Sequence, residues 1–285
     1  MFDGGQIDSR QGNRWRAYLA IILVRCKMLL QYRAAAFAGF ATQLFWGFIK
    51  VMVFVAFYAS AISEPPMTLQ QVLVYIWLGQ ALLVLLPWNV DPEIATQIRS
   101  GGVAYELLRP LDLYSFWFAR TLAFRAAPTL LRMLPMLAFT YFVLPWIGLG
   151  SWALPPPASL ESGVLFICAA FGTLFLSTAF TMVLHVTLLW TISGEGVNRM
   201  MPGVVPVLAG LIIPLPLFPD WLQGALYWQP FRGMADVPFR IYSGHIPPGE
   251  AVLELGMQWL WVVVLVGFGM WLLARARHKL VVQGG

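Results

Sequence analysis

An all-α integral membrane protein is the fold class this sequence predicts, and three observations predict it. Hydrophobic residues fill 59% of the 285 positions and charged residues only 11%. A soluble domain carries about 25% charged residues, so 18 basic and 13 acidic side chains do not cover a water-exposed surface of this size. The same figures exclude a disordered chain, which needs low hydrophobicity and high charge. Second, the apolar residues gather in long runs parted by short polar breaks. Third, the basic residues collect on alternate breaks, as membrane sidedness demands.

A hydrocarbon core about 30 Å thick is crossed by about 20 mainly apolar residues in a helix. Six stretches meet that length: 34–61, 70–90, 126–147, 163–192, 200–217 and 251–273. Ahead of them, the apolar run 17–24 is closed by Arg25 and Lys27 and is too short to cross. It predicts a helix lying at the interface within residues 1–33, although Arg14 and Arg25 project opposite to Arg16 and Lys27, so it lacks one clean polar face. No cleaved leader is expected, because no small-residue cleavage site follows that run. Cys26 and Cys168 sit in or beside apolar runs and imply neither a disulfide framework nor a thiolate metal site.

Sorting the basic residues fixes the orientation. Arg10, Arg14, Arg16, Arg25, Lys27 and Arg33 precede the first stretch; Arg99, Arg109, Arg120 and Arg125 lie between the second and third. Arg199 and the tail residues Arg275, Arg277 and Lys279 bring that side to 14, against Arg232 and Arg240 opposite. Lys50 and Arg132 fall inside spans. The bias predicts both termini in the cytoplasm, with 274–285 as a cytoplasmic tail. The opposite loops are then 60–69, 148–162 and 218–250, too short for a separate domain. The last carries Trp221, Tyr227, Trp228, Phe231, Phe239 and Tyr242 between prolines. Two readings stand: a segment that re-enters the bilayer, or an interfacial loop with an aromatic belt.

The chemistry that is missing narrows the function. No lysine follows a glycine, so there is no P-loop. His185, His245 and His278 lack metal-ligand spacing, and no G-x-S-x-G elbow occurs. No acid lies deep in a span; Glu254 is only four residues into the last one. An enzyme or an ion-driven pump is hard to build from this inventory, no cofactor is expected on this chain, and the energy for any active transport must come from another subunit. The net charge of +5 reads as membrane sidedness rather than nucleic-acid binding.

The break between stretches two and three is the most informative. Asp91 is a good helix N-cap, Pro92 suits the first helical position, Glu93 favours the positive end of the dipole, and Gly101 or Gly102 supplies a left-handed stop. A short, free-standing helix over 92–100 is predicted, its charged and apolar residues suited to docking another protein; a simple capped turn is the plainer alternative.

Four strings carry a family resemblance. Gly102-Val-Ala-Tyr-Glu-Leu-Leu-Arg-Pro-Leu111 is similar to the cytoplasmic segment of six-span permeases of the type-two ABC exporter class. Leu208-Ala-Gly-Leu-Ile-Ile-Pro-Leu-Pro-Leu-Phe-Pro-Asp-Trp-Leu222 resembles their fifth-span ending. Gln229-Pro-Phe-Arg with Pro238 and Ile241-Tyr-Ser-Gly244, and the terminal Val282-Gln-Gly-Gly285, resemble a bacterial subgroup of the same class. The resemblance implies an N-terminal interfacial helix, six spans, a coupling helix between spans two and three and a re-entrant segment between spans five and six. It also implies a second permease subunit, identical or homologous, and a separate cytoplasmic ABC ATPase that binds the ATP and Mg. Coupling to that ATPase falls by the same resemblance on Asp91 and Glu93, with Arg99, Glu106 and Arg109 as contacts with the ATPase or the interfacial helix. The implied setting is a bacterial inner membrane and the implied role an exporter of an amphipathic substrate. A non-transporting scaffold or assembly subunit, or an ATP-independent channel or carrier, are the alternatives.

Three other groups of residues invite a role. Thr173, Ser177, Thr181 and His185 recur every four residues after Ala169 and so share one helix face. They either pack tightly against another span or line a polar path with Arg132. Lys50 is expected to snorkel outward. Pro214, Pro216 and Pro219, following Pro202 and Pro206, predict a fifth span kinked or broken at its outer end, where the break serves as an outer gate.

Overall fold

The computed structural model describes residues 6–62, 64–190 and 195–280. Among them every regular element is helical. The chain begins with α1 (Gln6–Leu29) and α2 (Arg33–Ala59), followed by α3 (Leu69–Ala81) and a 3₁₀ turn at Leu83–Leu85. Two short helices, α4 (Pro92–Arg99) and α5 (Val103–Leu107), lead into α6 (Leu113–Ala138), which continues through a π turn into α7 (Leu144–Trp146). Then come α8 (Leu160–Thr187), α9 (Glu195–Leu208), α10 (Asp220–Trp228), α11 (Asp236–Tyr242) and α12 (Pro248–Leu280). The string 282–285 lies outside the described residues.

Among the described residues, four helices are long and apolar enough to cross a membrane: Arg33–Ala59, Leu113–Trp146, Leu160–Thr187 and Pro248–Ala276. The two other stretches, read above as full spans, are interrupted. The stretch 70–90 is helical only to Ala81, about 20 Å at 1.5 Å per residue. Pro87 disfavours helical backbone at the residue before it, and Leu86 is extended (φ −69°, ψ 152°). In the stretch 200–217 the helix stops at Leu208, and Gly210 turns left-handed with φ 79°. The third stretch errs the other way. Its helix starts at Leu113, thirteen residues early, because the Asp112 carboxylate caps it by accepting the Ser115 N–H at 2.9 Å. With α7 it reaches 34 residues, about 51 Å, so its first turns stand clear of the apolar core.

Packing places the broken pieces. α8 and α12 lie along each other, α1 lies along α6, and α11 is wedged against α8 and α3. The turn before α11 goes deep: Gly233 O accepts from Thr173 Oγ1 at 3.2 Å and Gln258 Nε2 at 2.7 Å. Thr173 is thirteen residues along α8 and Gln258 ten along α12, so this loop reaches about 15–20 Å down its neighbours. Gln258 also holds Ala169 O at 3.0 Å, and Gly172 leaves the room, since a Cβ there would lie 2.0 Å from Gln258 Oε1. Beside this lock, Asp236 is buried between Arg232, Arg240 at 3.5 Å and the Tyr75 hydroxyl, while Arg232 reaches Glu254 at 2.9 Å.

The break after α9 is capped from another helix. Lys50 Nζ donates to Leu211 O at 2.7 Å, so Lys50 does not snorkel to the surface. A carbonyl freed by the proline-rich turn takes its charge instead, as buried backbone without a ladder partner requires.

Candidate functional site

The polar residues converge at the end of the bundle where α4 meets α1, α6 and α8. Local sequence builds the pivot. Asp91 sits at the N-cap of α4 (φ −64°, ψ 120°), its Oδ1 accepting the Glu93 N–H at 2.9 Å, with Pro92 next to it. Asp91 is fully buried, and a buried carboxylate needs a counter-charge. Arg25 of α1 supplies it: Nη2 lies 3.2 Å from Asp91 Oδ2, and Nη1 lies 2.5 Å from Glu93 Oε1. Arg120 of α6 continues the chain, 3.0 Å from Glu93 Oε2 and 3.1 Å from Glu106 Oε1. Trp117 Nε1 then donates to Glu106 Oε2 at 2.6 Å. One network therefore joins α1, α4, α5 and α6.

Burial of the Arg25 guanidinium works against its charge. The hydrogen bond to Glu93 and the two nearby carboxylates outweigh that, and its pKa is held above the ordinary arginine value.

The same pivot is tied into the membrane helices. Asp91 N–H donates to His185 Nε2 at 2.8 Å, which fixes His185 as an acceptor at that nitrogen. Arg125 of α6 is 1% exposed and donates to Leu86 O at 2.9 Å, to Asn89 Oδ1 at 3.2 Å, to Asn89 O and to Thr181 Oγ1 at 3.0 Å. Ser177 Oγ donates to Leu85 O. Apart from the 3₁₀ turn at Leu83–Leu85 the connector 82–91 is irregular, and α6 and α8 meet its carbonyls at Leu85, Leu86 and Asn89.

These contacts locate the residues singled out from sequence. Asp91 and Glu106 face inward, whereas Glu93 (side chain 58% exposed), Arg99 and Arg109 lie on the outside. Arg109 stacks over the Phe116 ring at 5.1 Å. α4 is not free-standing: Ile94 and Ala95 are buried, with Ile94 in a cluster with Val103, Trp117 and Met182. Its other face, with Pro92, Glu93, Thr96 and Arg99, is exposed. Next to it, Tyr105 is 78% and Leu108 82% exposed.

Thr173, Ser177, Thr181 and His185 are all fully buried and bonded to neighbouring segments. Arg132 lies apart from them; its guanidinium rests over Gly39 of α2, where a Cβ would come within 2.4 Å. Pro214 and Pro216 form the turn at Leu215–Leu217 and Pro219 precedes α10, with Gln223 Nε2 bonded to Pro216 O at 3.2 Å and Phe218 O at 2.9 Å.

Sequence reasoning missed Arg25, Trp117 and Arg120 as members of one site. Starting the third span at 126 hid Trp117 and Arg120, and the Asp112 cap with Ser115 three residues on was the signal that would have placed both on one helix face.

The chain matches the model of a family described as ABC-2 family transporter protein over residues 44–284. No curated protein and no solved structure matches it. The match takes in the connector, α4 and all the long apolar helices, leaving only α1 and the start of α2 ahead of it. With several helices of membrane-crossing length and most of its sequence matched, this multi-pass chain belongs to the ABC-2 family of transporter proteins.

Proposed function

We propose that this chain is the permease subunit of an ATP-driven exporter, and that the face made by α4 and α5 receives a separate cytoplasmic ABC ATPase that binds the ATP and Mg. The observation that carries this reading is a rigid inner side joined to an open outer side. Asp91, Glu93 and Glu106 are clamped by Arg25 and Arg120, while Tyr105 and Leu108 stand exposed beside the exposed Arg99 and Thr96. Apolar side chains rimmed by charge suit a protein partner. A push on that outer side moves Asp91, and through His185, Arg125 and Ser177 it reaches α8 and α6.

Six crossings are part of the proposal: the four long helices plus the interrupted segments 69–85 and 195–217. The count of 14 basic residues against two supports both termini in the cytoplasm of a bacterial inner membrane. The reach of Gly233 along α8 and α12 supports a segment over 218–250 that re-enters from the opposite side. Two such subunits, identical or homologous, enclose a path for an amphipathic substrate. The proline-rich turn over 214–219 lies at its outer end as a gate. ATP binding and hydrolysis shift the pair between inward and outward states.

Co-purification tests this reading. A P-loop ATPase is expected to copurify with the full chain, and its turnover to depend on it. Tyr105→Ser with Leu108→Ser is expected to release the ATPase while membrane insertion is kept. Substrate movement without nucleotide would contradict the proposal.

A further inference from the structure

A lateral groove of about 680 Å³ opens between α1, α6, α8 and α12. Its rim carries Trp15 and Tyr18 from α1 and Tyr114 and Ser115 from the first turn of α6. Its deep end is apolar, with Phe118, Leu122, Phe175 and Val266. A second hollow of about 400 Å³ shares Tyr114, Ser115 and Met270 and continues the rim.

Helix geometry sets the depth. Val266 is fifteen residues beyond 251, where the last apolar stretch begins, about 22 Å into a core about 30 Å thick. Phe175, twelve residues beyond 163, is about 18 Å in. The deep end therefore lies at acyl-chain level in the leaflet on the basic side, while Trp15, Tyr18 and Tyr114 mark the interface where amphipathic rings settle. An opening of this size in hydrocarbon is filled by chains, because empty walls forfeit dispersion contacts.

Charge selects the headgroup. Arg16 is exposed next to Trp15, and six basic residues precede position 34. The N-terminus of α6 at the rim is already met by the Asp112 carboxylate, which accepts the Ser115 N–H at 2.9 Å, so selection for an anion rests on Arg16 and the basic segment of α1. Tyr114 is 3% exposed, its hydroxyl lies without a hydrogen-bond partner, and a Cβ on Gly269 would come within 2.9 Å of it.

We propose that this groove is a binding site for an anionic phospholipid of the basic-side leaflet, one acyl chain lying against Phe118, Leu122 and Phe175 and the headgroup held at the Trp15–Ser115 rim. The lipid pins α1 against α6 and α12, and so supports the position of Arg25. The inference rests on the membrane topology of the reading above and not on the ATPase partnership.

The test uses the full chain in phosphatidylcholine vesicles containing phosphatidylglycerol with a photoactivatable acyl chain. Adducts are expected on peptides 15–22 and 114–122, with unlabelled phosphatidylglycerol competing several-fold better than phosphatidylcholine. Leu122→Trp and Ser115→Phe, which fill the groove, are expected to remove these adducts and keep the background labelling of α2 that reports insertion. Labelling of the wild-type chain spread in proportion to exposure, as at Phe37 and Phe45, would overturn the proposal. So would equal competition by phosphatidylcholine, or full labelling in both filled variants.

Discussion

Asp91 ties three elements together: its carboxylate caps α4 and meets Arg25 of α1, and its N–H reaches His185 of α8. Removing one partner of a buried ion pair leaves an uncompensated charge and costs about 3–5 kcal/mol. Arg25→Ala is therefore expected to lower thermal stability in detergent by that order. Arg25→Lys recovers only part, because one ammonium does not bridge Asp91 and Glu93 as the guanidinium fork does. His185→Phe leaves the Asp91 N–H buried and unmet, a cost of about 1–3 kcal/mol. His185→Gln keeps an acceptor and is expected to retain most of that stability. Equal melting temperatures for the two His185 variants would mean that the bond to Asp91 contributes nothing. This geometry also changes what a charge deletion tests. Neutralising Asp91 disturbs the fold, whereas altering the exposed Tyr105 or Leu108 probes the outer face.

Among the elements, legibility followed local chemistry. The short helix at Pro92–Arg99 was readable because its cap, its first-turn proline and the left-handed Gly101 (φ 73°) are adjacent in sequence. The interruptions after Ala81 and Leu208 were less so. Hydropathy counts apolar residues and is blind to backbone, and the carbonyls freed there are met by Arg125, Ser177 and Lys50, 39, 92 and 161 residues away. The four-residue stripe on α8 was visible, but its partners at Gly233, Leu85 and Asp91 were not, since each lies on a different segment. Gly172 is one such hidden requirement. Gly172→Ala forces Gln258 off Ala169 O and Gly233 O, at an expected cost of about 1–3 kcal/mol. Proteolysis of the loop over 229–236 is expected to speed up in that variant. Unchanged cleavage would show that Gln258 does not hold the loop.

At the scale of the whole molecule, the proposed sidedness and the candidate site both rest on the sparse charges. In a background lacking Cys26 and Cys168, cysteines placed at Ser100 and Ser151 are expected to react with an impermeant thiol reagent from opposite sides of the membrane. Labelling of both from one side would overturn the topology. The family is shown by the match over 44–284, yet α1, which supplies Arg25 to the candidate site, precedes that match. The site is thus completed by a segment that lies ahead of the matched residues. On the function proposed above, the α4–α5 face is where an ATPase delivers force. A photo-crosslinking side chain in place of Leu108, with one in place of Trp146 as the control, measures this most directly. Crosslinks from position 108 to a nucleotide-hydrolysing subunit, and none from 146, are the result the account predicts. No crosslink from 108 to such a subunit, in membranes where the transporter is active, would contradict it.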